Sequence, residues 1–203
     1  MNEQKPYLQD IWESYYQQAD GTIADPEPLL IEWVAPLSPG RAVDLGAGDG
    51  ANALWLAQQG WQVTAVDYAS QALNAAGERA AANGLDLRIC VGDLLAFQPE
   101  QPVDLVFFGY IHLPAEQRAR MLQQAAAMLS PGGTMIYVGI TDMEPPIDEV
   151  PADLFAPLSE VVADLPPTLT AICSEQQKKK VSYDGSDHEH TGVLLVARRD
   201  PRG

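Results

Sequence analysis

The chain is poor in cysteine. Its two thiols, Cys90 and Cys173, stand isolated in strand-like segments. That excludes a disulfide scaffold and a cysteine-built metal site. It is also poor in positive charge, with 12 Lys and Arg against 28 Asp and Glu and a net charge of −16. A nucleic-acid binder needs a basic footprint, and none is present. A basic amphipathic helix that would lie on a membrane is missing too. No apolar run approaches the roughly 18 residues needed to span a bilayer. The opening MNEQKPYLQD is polar and lacks the pattern of a signal peptide, so the expected compartment is the cytoplasm. Histidine is scarce, with three in all. His188 and His190 alternate in the tail, where a strand would put both on one face. An exposed hairpin arm accounts for them better than a metal pair, and no metal is expected. Lys178–Lys180 reads as a solvated run. Repeats and linkers are absent, so residues 1–203 are expected to form one domain.

What is present is a core. Hydrophobic residues make up 46% of the chain, too many for disorder. The organising stretch is Arg41–Gly50, RAVDLGAGDG. A short apolar strand, Ala42–Leu45, breaks into glycines and resumes from Ala51 as a helical pattern. Strand, glycine-rich turn and helix form the first βα unit of a nucleotide-binding sheet. Glycine lets the backbone turn sharply and lie against a ligand. The helix N-terminus that follows favours a carboxylate or phosphate.

The rest alternates. Helices are expected over Pro6–Ala19 and Leu29–Val34, with a Pro-rich turn, Ala24–Pro28, between them. After the glycine turn a helix runs to about Gln59, closed by Gly60. Gln62–Val66 is the second strand, ending at Asp67, and Ser70 is the expected N-cap of a helix from Gln71 to Ala82. Leu85–Val91 and Val103–Phe108 are the third and fourth strands, and Pro114–Leu129 is an amphipathic helix. Pro131-Gly132-Gly133 is expected to be a turn before a fifth strand, Thr134–Ile140. Strict alternation predicts a parallel sheet with right-handed crossovers. The tail changes character: a Pro- and acid-rich loop, Thr141–Pro151, then a helix, Ala152–Leu165. Thr168–Tyr183 and Thr191–Arg199 then read as a β-hairpin.

The glycine turn alone is ambiguous. Gly46-x-Gly48-x-x-Ala51 with Asp67 about twenty residues on also fits a dinucleotide fingerprint. Against a dehydrogenase stand the extra Gly50, the strand-end Asp44, a further acid at Asp93, and the lack of room for a substrate domain.

These residues resemble class I S-adenosylmethionine-dependent methyltransferases over nearly the whole chain. VDLGAGDG is similar to the family's first motif, VTAVDYA (63–69) to the second, CVGDLL (90–95) to the third and DLVFFGY (104–110) to the fourth. LSPGGTMIYVG (129–139) resembles the stretch before its fifth strand, and the terminal hairpin its antiparallel seventh. Trp12-x-x-x-Tyr16 and His112-Leu113-Pro114 resemble the small bacterial tellurite-resistance and thiopurine-type branch.

The resemblance implies an α/β, Rossmann-like sheet of seven mostly parallel strands with an antiparallel C-terminal hairpin and helices on both faces. Residues 1–35 would form a helical cap over the cofactor and substrate site. It implies S-adenosylmethionine (SAM) as cofactor. Asp44, Gly46, Ala47 and Gly48 would hold the methionyl end, with the Phe108 carbonyl near its ammonium, and Asn52 is a further expected cofactor-binding residue. Asp67 would accept the ribose hydroxyls, and Asp93 the adenine amino group. Tyr68 and Leu94 would sandwich the adenine, and Tyr16 would face the sulfonium. His112 and Tyr110 follow the fourth strand, where substrate arrives. A base role for His112 and a plain helix-entry role both stay open, as does a packing role for Trp12, Tyr15 and Tyr16.

The implied reaction transfers a methyl group to an O, N, S or Se atom of a small molecule by a monomer or homodimer. The sulfonium is already a good leaving group, so alignment matters more than acid–base catalysis. Phe108-Gly109-Tyr110-Ile111 stands where amino-methylating DNA enzymes carry Asn-Pro-Pro-aromatic, a further argument against nucleic acid. A NAD-dependent oxidoreductase and a non-catalytic SAM-binding partner protein are the alternatives.

Overall fold

A computed structural model describes residues 24–144, 151, 154–183 and 186–201. The expected helix over Pro6–Ala19, with Trp12, Tyr15 and Tyr16, lies outside the described residues. Helix α1 (Pro28–Val34) leads into β1 (Arg41–Leu45), then α2 (Ala51–Gln58), β2 (Gln62–Asp67), α3 (Ser70–Ala82) and β3 (Leu87–Val91). Next come β4 (Val103–Gly109), α4 (Ala115–Met128), β5 (Leu129–Glu144), α5 (Leu158–Ala163), β6 (Leu169–Tyr183) and β7 (Ser186–Arg199).

The seven strands form one sheet in the order β3-β2-β1-β4-β5-β7-β6. β3, β2, β1, β4 and β5 run parallel, and β7 inserts antiparallel between β5 and β6. The strand order reverses between β1 and β4. The crevice beyond their carboxyl ends is where such sheets take ligands.

Two apolar layers hold the sheet, and alternation along each strand assigns residues to them. Val43 and Leu45 of β1, with Val106 and Phe108 of β4, pack under Met121 and Leu122 of α4 and Val161 of α5. Ala42, Leu105 and Phe107 face the other way, onto Leu30 and Val34 of α1, Leu56 of α2 and Leu73 of α3. The adjacent pair Phe107 and Phe108 is fully buried on opposite faces. Each contributes roughly 1.5–3 kcal/mol by leaving water. Asp44, two residues after Ala42, shares the α2 side of β1.

Several local expectations are corrected. Ser70 is the first helical residue of α3, and Ala69 occupies the cap with no side-chain bond. The Asp67 carboxylate takes the Ala69 amide from outside the helix instead, at 2.8 Å. Pro131-Gly132-Gly133 does not precede the fifth strand but bulges within it. Pairing jumps from Val103–Leu129 to Leu105–Thr134. The expected Ala152–Leu165 helix is only Leu158–Ala163, with Pro157 as its N-cap. Proline suits a helix start and breaks an interior. The terminal hairpin is longer than expected, with Tyr183 pairing directly with Ser186.

Candidate active site

The glycine turn is shaped by backbone that side chains do not tolerate. Gly46, Gly48 and Gly50 have φ of 73°, 55° and 79°. A Cβ on Gly50 would come within 2.5 Å of Ala76 Cβ in α3. On Gly46 it would meet Ile111 Cδ1 at 2.6 Å, so the loop after β4 rests directly on the turn. The turn's own amides are engaged. Gly46 and Ala47 N–H donate to Val66 O at 2.8 and 3.1 Å, and Gly48 N–H to Asp67 Oδ2 at 2.8 Å. What these residues offer a ligand is therefore close approach.

Asp44 closes β1 under this turn. It is 1% exposed, and neither carboxylate oxygen has a hydrogen-bond partner among the described residues. Burial raises its pKa to about 8, and the charges of Asp67 and Asp49 push the same way. The Ala53 amide offsets part of this without reaching hydrogen-bond geometry. A buried carboxyl without donors is costly. An ammonium ligand would supply both donors and charge, which is what the methionyl end of SAM carries.

Asp67 and Asp93 extend the row along the sheet edge. Asp67 accepts from Gly48 and Ala69 amides, one per oxygen, and each oxygen keeps a lone pair for a hydroxyl donor. Asp93 Oδ1 takes both the Leu95 amide and the Tyr68 hydroxyl, each at 2.7 Å, which leaves Oδ2 to a ligand amino group. That bond and partial burial push the Tyr68 phenol well above its ordinary pKa. Leu94 is buried in the apolar layer beside Val66. Phe108 is fully buried, its ring edge-on to Tyr137 at 6.0 Å.

The loop after β4 brings Tyr110, Ile111 and His112 to the same edge. Tyr110 is the one non-glycine among the described residues with positive φ, 58°. Its amide stays bonded to Val138 O at 2.8 Å, and its hydroxyl donates to Glu27 Oε2 at 2.7 Å. His112 packs edge-on against Phe155 at 4.7 Å, and burial lowers its pKa to about 4. A neutral imidazole with that pKa is a weak base.

Sequence reasoning missed Glu27. The Pro26-Glu27-Pro28 turn marked a helix start, but nothing local said that the carboxylate turns inward. Ala24 N–H donates to Asp49 Oδ2 at 2.7 Å and Glu27 N–H to Asn52 Oδ1 at 2.8 Å. Residues 24–27 thus form a strap laced to the glycine turn on one side and to Tyr110 on the other. Asn52, expected at the cofactor, holds this strap. His190 lies on β7 opposite Met143 and Lys179. Against the expected exposed arm, His190 is buried, 8% exposed, while the side chain of His188 falls outside those described.

Residues 42–133 match the family model described as "Methyltransferase domain". The ribosomal RNA small subunit methyltransferase C of Alcanivorax borkumensis is 40% identical over 106 residues, 49% of this chain and 32% of that protein. A ubiquinone biosynthesis O-methyltransferase of Xylella fastidiosa is 32% identical over 114 residues, 53% of this chain and 46% of that protein. The chain thus spans a third to a half of the length of these curated relatives. TehB from Haemophilus influenzae superposes with a TM-score of 0.72 at 19% identity, over 93% of this chain and 67% of TehB. The likeness of fold therefore extends beyond the matched domain to the C-terminal strands. No helix among the described residues is long and apolar enough to cross a membrane.

Proposed function

We propose that this chain, whose residues 42–133 match a methyltransferase domain, transfers the methyl group of SAM to an O, N, S or Se atom of a small molecule. The observation that carries it is Asp44, a buried carboxyl with no donor among the described residues at the end of β1. It suits the methionyl ammonium, and Asp67 and Asp93 suit the ribose hydroxyls and the adenine amino group. Tyr68 and Leu94 border the adenine slot, and Gly46, Ala47 and Gly48 allow close approach. The bound donor supplies an activated methyl on a sulfonium leaving group. The protein's part is to align and to exclude water, which can contribute about 7–11 kcal/mol. Tyr110 and Ile111 wall the acceptor side. His112, held neutral, positions rather than accepts a proton. The strap at residues 24–27 is the described part of the cap proposed for residues 1–35.

A small acceptor is favoured by charge. A net −16 opposes the phosphate backbone of nucleic acid. An RNA acceptor is the second reading, because the 40%-identical relative carries a ribosomal RNA methyltransferase name. The test is formation of S-adenosylhomocysteine (SAH) from SAM across thiols, selenols, amines and phenols, beside ribosomal and transfer RNA. Turnover with a small acceptor alone supports the proposal. Turnover with RNA alone replaces the acceptor, and SAM binding without any turnover favours a non-catalytic partner.

A further inference from the structure

We propose that Glu27, held by Tyr110, is the carboxylate set against the positive charge of the methyl donor, so that the site holds the cationic donor more tightly than its neutral product. This rests on the cofactor reading above. Four acids converge on the crevice: Asp44 and Asp67 at strand ends, Asp49 in the glycine turn, and Glu27 on the strap. The ion pairs among the described residues join Arg88 to Glu100, Arg118 to Glu160 and Asp164, and Lys178 to Glu189. None of these pairs involves a crevice acid.

Charge bookkeeping then separates two roles. SAM carries one carboxylate and two cations, ammonium and sulfonium. SAH keeps the ammonium and loses the sulfonium charge. Asp44, fully enclosed at the end of β1, serves the ammonium that both ligands carry. Glu27 is the second buried carboxylate, 9% exposed, and it spans the gap between the glycine turn and the end of β4. Its amide is fixed to Asn52 in the first turn of α2, and its Oε2 to Tyr110. Oε1 makes only a longer bond, 3.2 Å, to the Leu29 amide.

The latch is expensive in backbone terms. Left-handed φ at a bulky residue is strained, and such strain persists where surrounding bonds impose it. Here those bonds are to Val138 O and Glu27. They fix the carboxylate beside Tyr110, which remains 42% exposed and is an aromatic of the kind that attracts cations.

The test is calorimetric titration with two stable probes, sinefungin, which carries an ammonium where SAM has its sulfonium, and SAH. The wild-type protein should bind sinefungin more tightly. Glu27→Gln should weaken sinefungin about tenfold and SAH less than about threefold. Tyr110→Phe keeps the charge but frees it, and should lower the sinefungin-to-SAH ratio by a smaller factor. If Glu27→Gln fails to fold by circular dichroism, the Tyr110→Phe ratio decides. Equal losses for both probes, or an unchanged ratio, overturn the inference while leaving the cofactor reading intact. A wild-type protein that binds neither probe overturns both.

Discussion

Two aspartates on neighbouring strands, at opposite ends of the sheet, have opposite fates. Asp104, at the start of β4, accepts from the Arg41 amide at 2.9 Å and from Ser130 Oγ at 2.8 Å. Asp44, at the end of β1, has neither oxygen bonded among the described residues. The first acid clips the start of β1 to the bulge of β5. The second costs the fold its desolvation and returns nothing until a ligand arrives. The amino edge thus holds an aspartate satisfied within the protein, while the carboxyl edge holds a buried carboxyl without donors, bare glycine backbone and the strained Tyr110.

The largest expected effect separates these acids directly. Asp44→Asn should weaken SAH binding by roughly ten- to a hundredfold, since hydrogen bonds to charged groups contribute about 1.5–3 kcal/mol. It should also leave the ligand-free protein as stable as wild type or more so. Asp104→Ala should do the reverse, lowering thermal stability by about 1–3 kcal/mol with SAH affinity unchanged. Calorimetry and thermal melts on both variants check the pair. Matching losses of affinity in the two would erase the distinction.

Next in size is a backbone test at the same edge. Gly50→Ala places a methyl at φ 79° and 2.5 Å from Ala76, both in rigid elements. It should destabilise by about 1–3 kcal/mol. Gly46→Ala meets only the flexible end of Ile111, so it should cost less stability and more cofactor affinity. Urea melts beside SAH titrations resolve the two.

A pH dependence follows from Asp44. Its pKa in the folded protein, about 8, lies above its ordinary value of 3.8. Between these limits the folded state holds a proton that the unfolded chain has released. This group's contribution to ligand-free stability is therefore full below about 4 and lost as pH rises through about 8. Affinity for SAH should rise with pH and level off above about 8, because the ammonium needs the ionised carboxylate. Asp44→Asn should flatten both slopes. Asp67 and Asp49 are the charged groups that push in the same direction.

The smallest expected effect concerns His112. Burial holds it near 4, so a pH–rate profile should have no break near 6.5 from this residue, and His112→Asn should leave the profile's shape unchanged.

Much of the carboxyl edge was legible in the sequence because its signals are local. A strand, a glycine turn and acids at three strand ends are each written in a few consecutive residues, and the parallel run of strands follows from alternation. The interior of β5 was misread because Pro131-Gly132-Gly133 says turn, and only pairing with β4 makes it a bulge. The α5 helix was overextended because its apolar residues keep helical spacing across Pro157. Glu27 was invisible for a different reason. Its partners, Asn52 and Tyr110, are 25 and 83 residues away, and only the closed fold brings them together.

The most direct measurement is calorimetric titration of SAH into the wild-type protein and Asp44→Asn at a pH just above 8. Saturable binding by the wild type, and its loss or severe weakening in the variant, is the expected result. A wild-type protein indifferent to millimolar SAH, or a variant that binds it equally well, would contradict the account.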